Sequence, residues 1–222
     1  MTLVIVKGWE RMAGDTRRRM IESAVTLLAK RGLQATAFSD VIEHSGAPRG
    51  SIYHHFPGGK DDLVDAAIDL AGDRALRVLD AVDGRAPAEV TSYFIDLWRA
   101  VLVRSRLTAG CAVLAVTVAT DSPELLDHAA QIFRAWRGRL AELYVTGGMS
   151  NEAAARLAMT VVAATEGAVV VSRAERSLEP FDQVAGALLA MTPGGGSAAQ
   201  GSERASEQAQ RAAGTRRRKP AQ

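Results

Sequence analysis

The feature that most constrains this chain is a glycine that stops one short amphipathic helix just before a proline starts another. Thr36–Lys60 reads TAFSDVIEHSGAPRGSIYHHFPGGK. Thr36 can cap a helix, because its hydroxyl can accept from an unpaired first-turn N–H. Phe38, Val41, Ile42 and Ser45 then recur at helical spacing and give one inward face. Gly46 is a stop, since glycine enters the left-handed conformation without a Cβ penalty. Pro48 suits the first turn of a second helix, where its missing N–H costs nothing. That helix carries Arg49, Gly50, Ser51, Ile52, Tyr53 and His54 and ends by Phe56, which Pro57 forces out of the α region. Two helices joined by a tight glycine turn, the second bearing Arg, Ser, Tyr and His, form the pattern of a helix-turn-helix that reads the DNA major groove.

The run Gly32–Phe56, GLQATAFSDVIEHSGAPRGSIYHHF, closely resembles the N-terminal domain of tetracycline-repressor (TetR) family regulators. The following Pro57–Lys60 (PGGK) resembles the LmrA/YxaF-like branch, many of whose members control drug-efflux genes. The signature spans about Arg17 to Val64; the rest resembles the family in its all-helical layout. Two positions depart from the wider pattern: Pro48 stands where Ser or Thr is usual, and Ala37 where a second Thr is common. The resemblance implies an all-α protein with a three-helix DNA-binding head and a six-helix body for dimerisation and small-molecule sensing. It also implies a homodimer on a double-stranded palindromic operator, released by a small hydrophobic or aromatic effector, as in multidrug-resistance regulators.

Charge distribution agrees with a head and a body. Residues 1–60 hold nine Lys/Arg against five Asp/Glu, residues 61–192 twelve against eighteen, and residues 193–222 six against two. A basic head on an acidic body presents one end to a polyanion. Cys111 is the only cysteine, so no internal disulfide can form, which fits a reducing cytosol and a nucleoid-associated, cytoplasmic protein. No apolar run approaches the ~20 residues that span a bilayer; Val161–Val171 comes closest and Glu166 interrupts it.

Met1–Gly14 shows no period and no cap and is expected to be a disordered extension, with Met12 as an alternative start. The DNA-binding domain is expected over 15–60, the ligand-binding and dimerisation domain over 61–192, and a disordered basic tail, ending in TRRRK at Thr215–Lys219, over 193–222. Helical faces are expected over Arg17–Arg31, 60–83, 88–106, 111–119, 123–145, 151–173 and 180–191. Together with the helix-turn-helix pair that makes nine helices and no strand.

The DNA-contacting residues expected are Arg17, Arg18, Thr36, Arg49, Gly50, Ser51, Tyr53, His54 and Lys60, the last holding a phosphate at a helix N-terminus. His54 and His55 are adjacent, do not face one another, and have no third ligand at metal spacing. For the effector, Phe94, Trp98, Cys111, Phe133 and Trp136 supply aromatic and soft surface, with Glu166 as a possible buried carboxylate favouring a cation. The dimer face is expected at Ala158, Val162, Gly167 and Val170 of one helix and Phe181, Val184 and Leu188 of the next, because small residues let backbones approach. No catalytic constellation, phosphate loop, metal or cofactor is expected. The competing reading is a DNA-binding protein that takes no ligand.

Overall fold

The computed structural model describes residues 2–195, with side chains described from Asp15 onward. Among these are nine α-helices and one 3₁₀ turn, with no strand. They are α1 (Thr2–Arg31), α2 (Phe38–Ser45), the 3₁₀ turn Arg49–Ser51 running into α3 (Ile52–His55), α4 (Lys60–Asp80), α5 (Pro87–Arg104), α6 (Ala112–Thr117), α7 (Pro123–Thr146), α8 (Asn151–Glu175) and α9 (Glu179–Met191).

The helix over residues 2–14 departs from the disorder expected there. Those residues contain no proline, and the buried face of α1 supplies a nucleus. Once nucleated, a helix grows at one backbone hydrogen bond per residue fixed. The buried face is Met20, Ile21, Ala24, Leu27 and Leu28, and it meets Val41, Ile52 and Phe56 of the head. The basic tail lies outside the described residues from 196 onward.

Gly46 takes φ 66°, the left-handed conformation expected of the turn. Thr36, by contrast, does not cap α2. Ala37 holds the N-cap position, and Asp40 of the first turn accepts from the Ala37 N–H at 3.2 Å. Pro48 precedes the second helix at its N-cap.

α4 joins head to body and packs on α1, α5, α6 and α7. Its start is fixed by Asp62, whose carboxylate accepts from the Gly58 N–H at 2.6 Å. Gly59, at φ 87° and ψ −147°, makes a reversal closed to other residues. The body core is built on Phe94, Trp98, Ile132, Trp136, Leu140 and Tyr144, backed by the small residues of α8. Tyr144 Oη pairs with Thr91 Oγ1 at 2.7 Å, and Thr91 reaches Thr192 at 3.3 Å. This buried trio ties α5 and α7 to the end of α9, and burial pushes the Tyr144 phenol up to about 12.

By length and composition α8 could cross a membrane, contrary to the expectation that no stretch would qualify. In this fold it is a body helix, half buried, that packs on α7, α9 and α5.

Candidate DNA-reading face and ligand cavities

The second helix of the head projects a polar face. Arg49, Gly50, Tyr53 and His54 are exposed, Tyr53 at 69%. Ile52 and Phe56 point into the core and anchor it. Phe38 of α2 stacks edge-on against Tyr53 at 5.7 Å, which holds the phenol outward in one orientation. Gly50 has open space where a Cβ would lie, so nothing inside the subunit requires glycine there.

Arg17 lies with its guanidinium over the Phe56 ring at 5.3 Å. The stack fixes the arginine at the end of α3 and leaves its donor edges free. Its charge, with that of His54 and the effect of burial, lowers the pKa of His55, burial being the largest cause. His55 is therefore neutral at neutral pH.

Four expected DNA contacts change in character. The Thr36 side chain is buried, and its one hydroxyl proton is donated to the Gly32 carbonyl at 2.8 Å. Phosphate only accepts hydrogen bonds, so Thr36 has nothing left to give it. Ser51 likewise donates its proton to the Pro48 carbonyl at 2.6 Å. Lys60 donates to the Leu33 carbonyl at 2.8 Å and so ties α4 to the loop after α1, with two of its three protons still available. Arg18 pairs with Glu22 at 3.3 Å, and Glu22 also takes Arg74 of α4.

The expected ligand residues divide between two cavities. The first, about 550 Å³, lies where α1, α4, α5 and α6 meet and is lined by Val25, Ala71, Trp98, Val101, Cys111 and Trp136 among others. The indole N–H of Trp98 is buried without a partner. Lys30, Arg74 and Arg104 stand among its walls, and nothing in the sequence spacing marks them. The second, about 850 Å³, is a groove between α6, α7 and α8 that includes Phe133 and Glu166. Phe94 belongs to neither; it is fully buried in the core. Edge-on contacts run from Phe94 through Trp98 and Trp136 to Phe133, with centroids 5.4–6.5 Å apart, so one aromatic chain spans both cavities.

Glu166 is 6% exposed, and neither carboxylate oxygen has a hydrogen-bond partner. Burial raises its pKa to about 7. The neighbouring Cys111 thiol draws that value down, although the two groups do not meet at full hydrogen-bond geometry. Burial and the Glu166 charge raise the pKa of Cys111 well above the ordinary range, so the thiol stays protonated and unreactive.

The body holds the end of α1 by groups that sequence reading missed. The last carbonyls of a helix have no partner within it. Here the Gly110 N–H, just before α6, donates to the Ala29 carbonyl at 2.9 Å. Arg173 of α8 donates to the carbonyls of Lys30 and Thr108, both at 3.2 Å. Gln34, in the loop after α1, donates to the Ala119 carbonyl at 3.0 Å. No local signal reveals such pairings, because their partners are 65 to 143 residues apart.

The residues expected at the dimer face divide between the interior and the surface of the subunit. Ala158, Val162, Phe181 and Leu188 are buried inside the subunit, where the small faces of α8 and the stripe of α9 pack on one another and on the core. Gly167 and Val170 are exposed and Val184 is half-buried. The outward apolar surface runs instead along Met159, Ala163, Gly167, Val170 and Val171 of α8, with Met191 of α9.

Residues 20–67 match the bacterial regulatory proteins of the tetR family, and residues 87–187 match the C-terminal domain of the LmrA/YxaF-like transcriptional regulators. The chain is 36% identical over 188 residues to the HTH-type transcriptional regulator Rv0196 of Mycobacterium tuberculosis, covering 80% of this chain and 96% of that one. It is 26% identical to the HTH-type transcriptional regulator LmrA of Bacillus subtilis over 76% of this chain and 92% of that one. A crystal structure of a TetR transcriptional regulator from Chloroflexus aurantiacus superposes with a TM-score of 0.67 at 27% identity, covering 80% of this chain and 94% of that one. One from Legionella pneumophila gives 0.70 at 23% identity, over 78% and 95%. Sequence, fold and the exposed second helix of the head agree: this chain belongs to the TetR family of DNA-binding transcriptional regulators, in the LmrA/YxaF-like branch.

Proposed function

We propose that the protein is a ligand-responsive repressor that binds a palindromic operator as a homodimer and leaves it when a small, largely apolar effector enters the body. The observation that carries this reading is the position of the 550 Å³ cavity, whose walls include residues of both α1 and α4. These are the helices that hold the head. α4 begins at Lys60, beside the reading helix, and passes the cavity at Ala71 and Ala75. A ligand among Trp98, Cys111 and Trp136 that prefers a displaced α4 would shift the head by the same free energy it gains there. Two heads on a two-fold axis read half-sites one turn apart, roughly 34 Å, or a multiple of it, so a small tilt is enough to lose register.

The outward surface of α8 and α9, centred on Gly167 and Val171, supports a two-fold interface, because small residues there allow close approach and the surrounding residues are apolar. The test is linkage. Compounds that quench Trp98 and Trp136 fluorescence are titrated with and without bound operator. Weaker quenching affinity on operator supports the reading. Equal affinity in both states contradicts it and leaves a DNA-binding protein whose ligand carries no signal.

A further inference from the structure

α8 packs on α7, α9 and α5, and its Arg173 reaches on to α1. One guanidinium nitrogen, Nη2, donates to the Lys30 and Thr108 carbonyls at 3.2 Å each. Lys30 lies in the last turn of α1, where carbonyls lack partners in their own helix and the dipole favours a cation. Thr108 lies between α5 and α6, so a single nitrogen joins three elements: α8, α1 and that loop. Two residues later the loop makes its own bond to α1, from the Gly110 N–H to the Ala29 carbonyl at 2.9 Å.

Two further features belong to this junction. A Cβ on Gly110 would lie 3.0 Å from Arg173 Nη1 and 3.3 Å from Val169, so glycine leaves the room that the arginine occupies. Arg106 and Leu107, just ahead of Thr108, take φ 53° and 64° in succession. Residues with a Cβ rarely adopt that left-handed backbone, and two together persist only where their surroundings hold them. Arg173 at Thr108 and Ala29 at Gly110 hold the loop on its far side.

We infer that Arg173 is a positioning residue for operator recognition: it fixes the angle of the head to α8, and so the spacing of the two heads in a dimer. This rests on the two-fold reading of α8 and α9 given above. α1 is the path, since it runs from this junction to Arg17 at Phe56 and packs on α2 and α4. α8 is the helix that each subunit lays against its partner in that reading. A head tied to α8 through the end of α1 keeps one separation from its twin. A head held by α4 alone swings, which lowers affinity for the correct spacing and raises tolerance of wrong ones. Contacts made by a single head, those of the exposed Arg49 and Tyr53 among them, are untouched.

The palindrome that the full-length protein selects from random DNA supplies three duplexes for the test. They are the palindrome itself, the same sequence with two base pairs added at its centre, and one half-site in unrelated flanks. Two base pairs turn one half-site by about 70° relative to the other. Anisotropy titrations compare the unaltered protein with Arg173→Met, which keeps an apolar stem and loses the donors. The unaltered protein is expected to prefer the palindrome to the lengthened duplex by about 100-fold or more. Arg173→Met is expected to narrow that preference by about tenfold, the worth of a charged hydrogen bond, with half-site affinity and the sedimenting dimer unchanged. An unchanged preference overturns the assignment, and so do equal losses on all three duplexes, which would make Arg173 a prop of the fold alone. An unaltered protein that sediments as a monomer, or binds the half-site as tightly as the palindrome, contradicts the two-fold reading itself and the assignment with it. Should Arg173→Met fail to fold, Gly110→Ala, whose methyl crowds the guanidinium, is expected to shift the preference the same way. An unchanged preference in that variant then overturns the assignment.

Discussion

The indole N–H of Trp136 donates to the backbone carbonyl of Gly72 at 3.1 Å, and a Cβ built on Gly72 would lie only 2.9 Å from Ile132, one turn before Trp136 on α7. This pair sets how closely α7 approaches α4. Because α4 leads into the head and Trp136 lines the cavity beside it, the same contact couples the proposed lever to the proposed effector cavity. Gly72→Ala gains about 1 kcal/mol in helix propensity. It also overpacks against the buried Ile132, at about 1–3 kcal/mol. The net expectation is a lower urea midpoint and a changed operator affinity. A midpoint at or above that of the unaltered protein would show that the helices have room to spare.

Much of this arrangement is legible in the sequence, and for a common reason. Gly46, Pro48, Pro57 and the double glycine before Lys60 act on the backbone next to them, so the head and its boundaries can be read from spacing. Ser122 and Ser150 cap α7 and α8, as their positions before Pro123 and Asn151 suggest. The partners of a side chain are set by packing, and there local reading fails. Thr36 has the composition of a cap, yet its hydroxyl turns back to Gly32. Phe94 and Trp98 lie one turn apart on α5, yet only Trp98 reaches a cavity. The small residues of α8 serve two faces at once, which is why Ala158 and Gly167 look alike in sequence and differ in exposure.

The reading helix predicts different penalties for different side chains. Arg49→Ala should cost about 1–3 kcal/mol of operator binding and relax specificity at the base it reads. Lys60→Ala should weaken all DNA alike, lower the salt slope by about one, and lose the tie to Leu33. Anisotropy titrations at several salt concentrations distinguish the two. Unchanged affinity for both variants would move the DNA-reading surface elsewhere.

Stability should depend on pH through Glu166. Its carboxyl sits at about 7 in the folded protein against an ordinary 4.5. The folded state thus holds the proton more tightly than the unfolded one. The resulting stability is fully present below the unfolded value and is lost as pH rises through the folded one. The loss is on the order of 3 kcal/mol. Glu166→Gln removes this dependence, so its advantage in urea denaturation should grow between about pH 5 and pH 8. A constant difference across that range would show that the carboxyl is solvated in solution.

Assembly can be tested without harming the subunit. A Cβ on Gly167 meets nothing within 4 Å, so a larger side chain is accepted by the isolated fold. Gly167→Leu should therefore leave circular dichroism unchanged, yield a monomer in sedimentation, and weaken operator binding about 100-fold or more through loss of the second half-site. A tight dimer in this variant would place the interface off the centre of α8.

Two exposed helices, each beginning at Arg49, are expected to read DNA together. Selection from random double-stranded DNA by the full-length protein tests it most directly. The expected result is an enriched palindrome whose half-site centres lie about 10 base pairs apart, or a multiple of that, and whose enrichment disappears with Arg49→Ala. Enrichment of a single, unpaired half-site, or of no sequence at all, would contradict it.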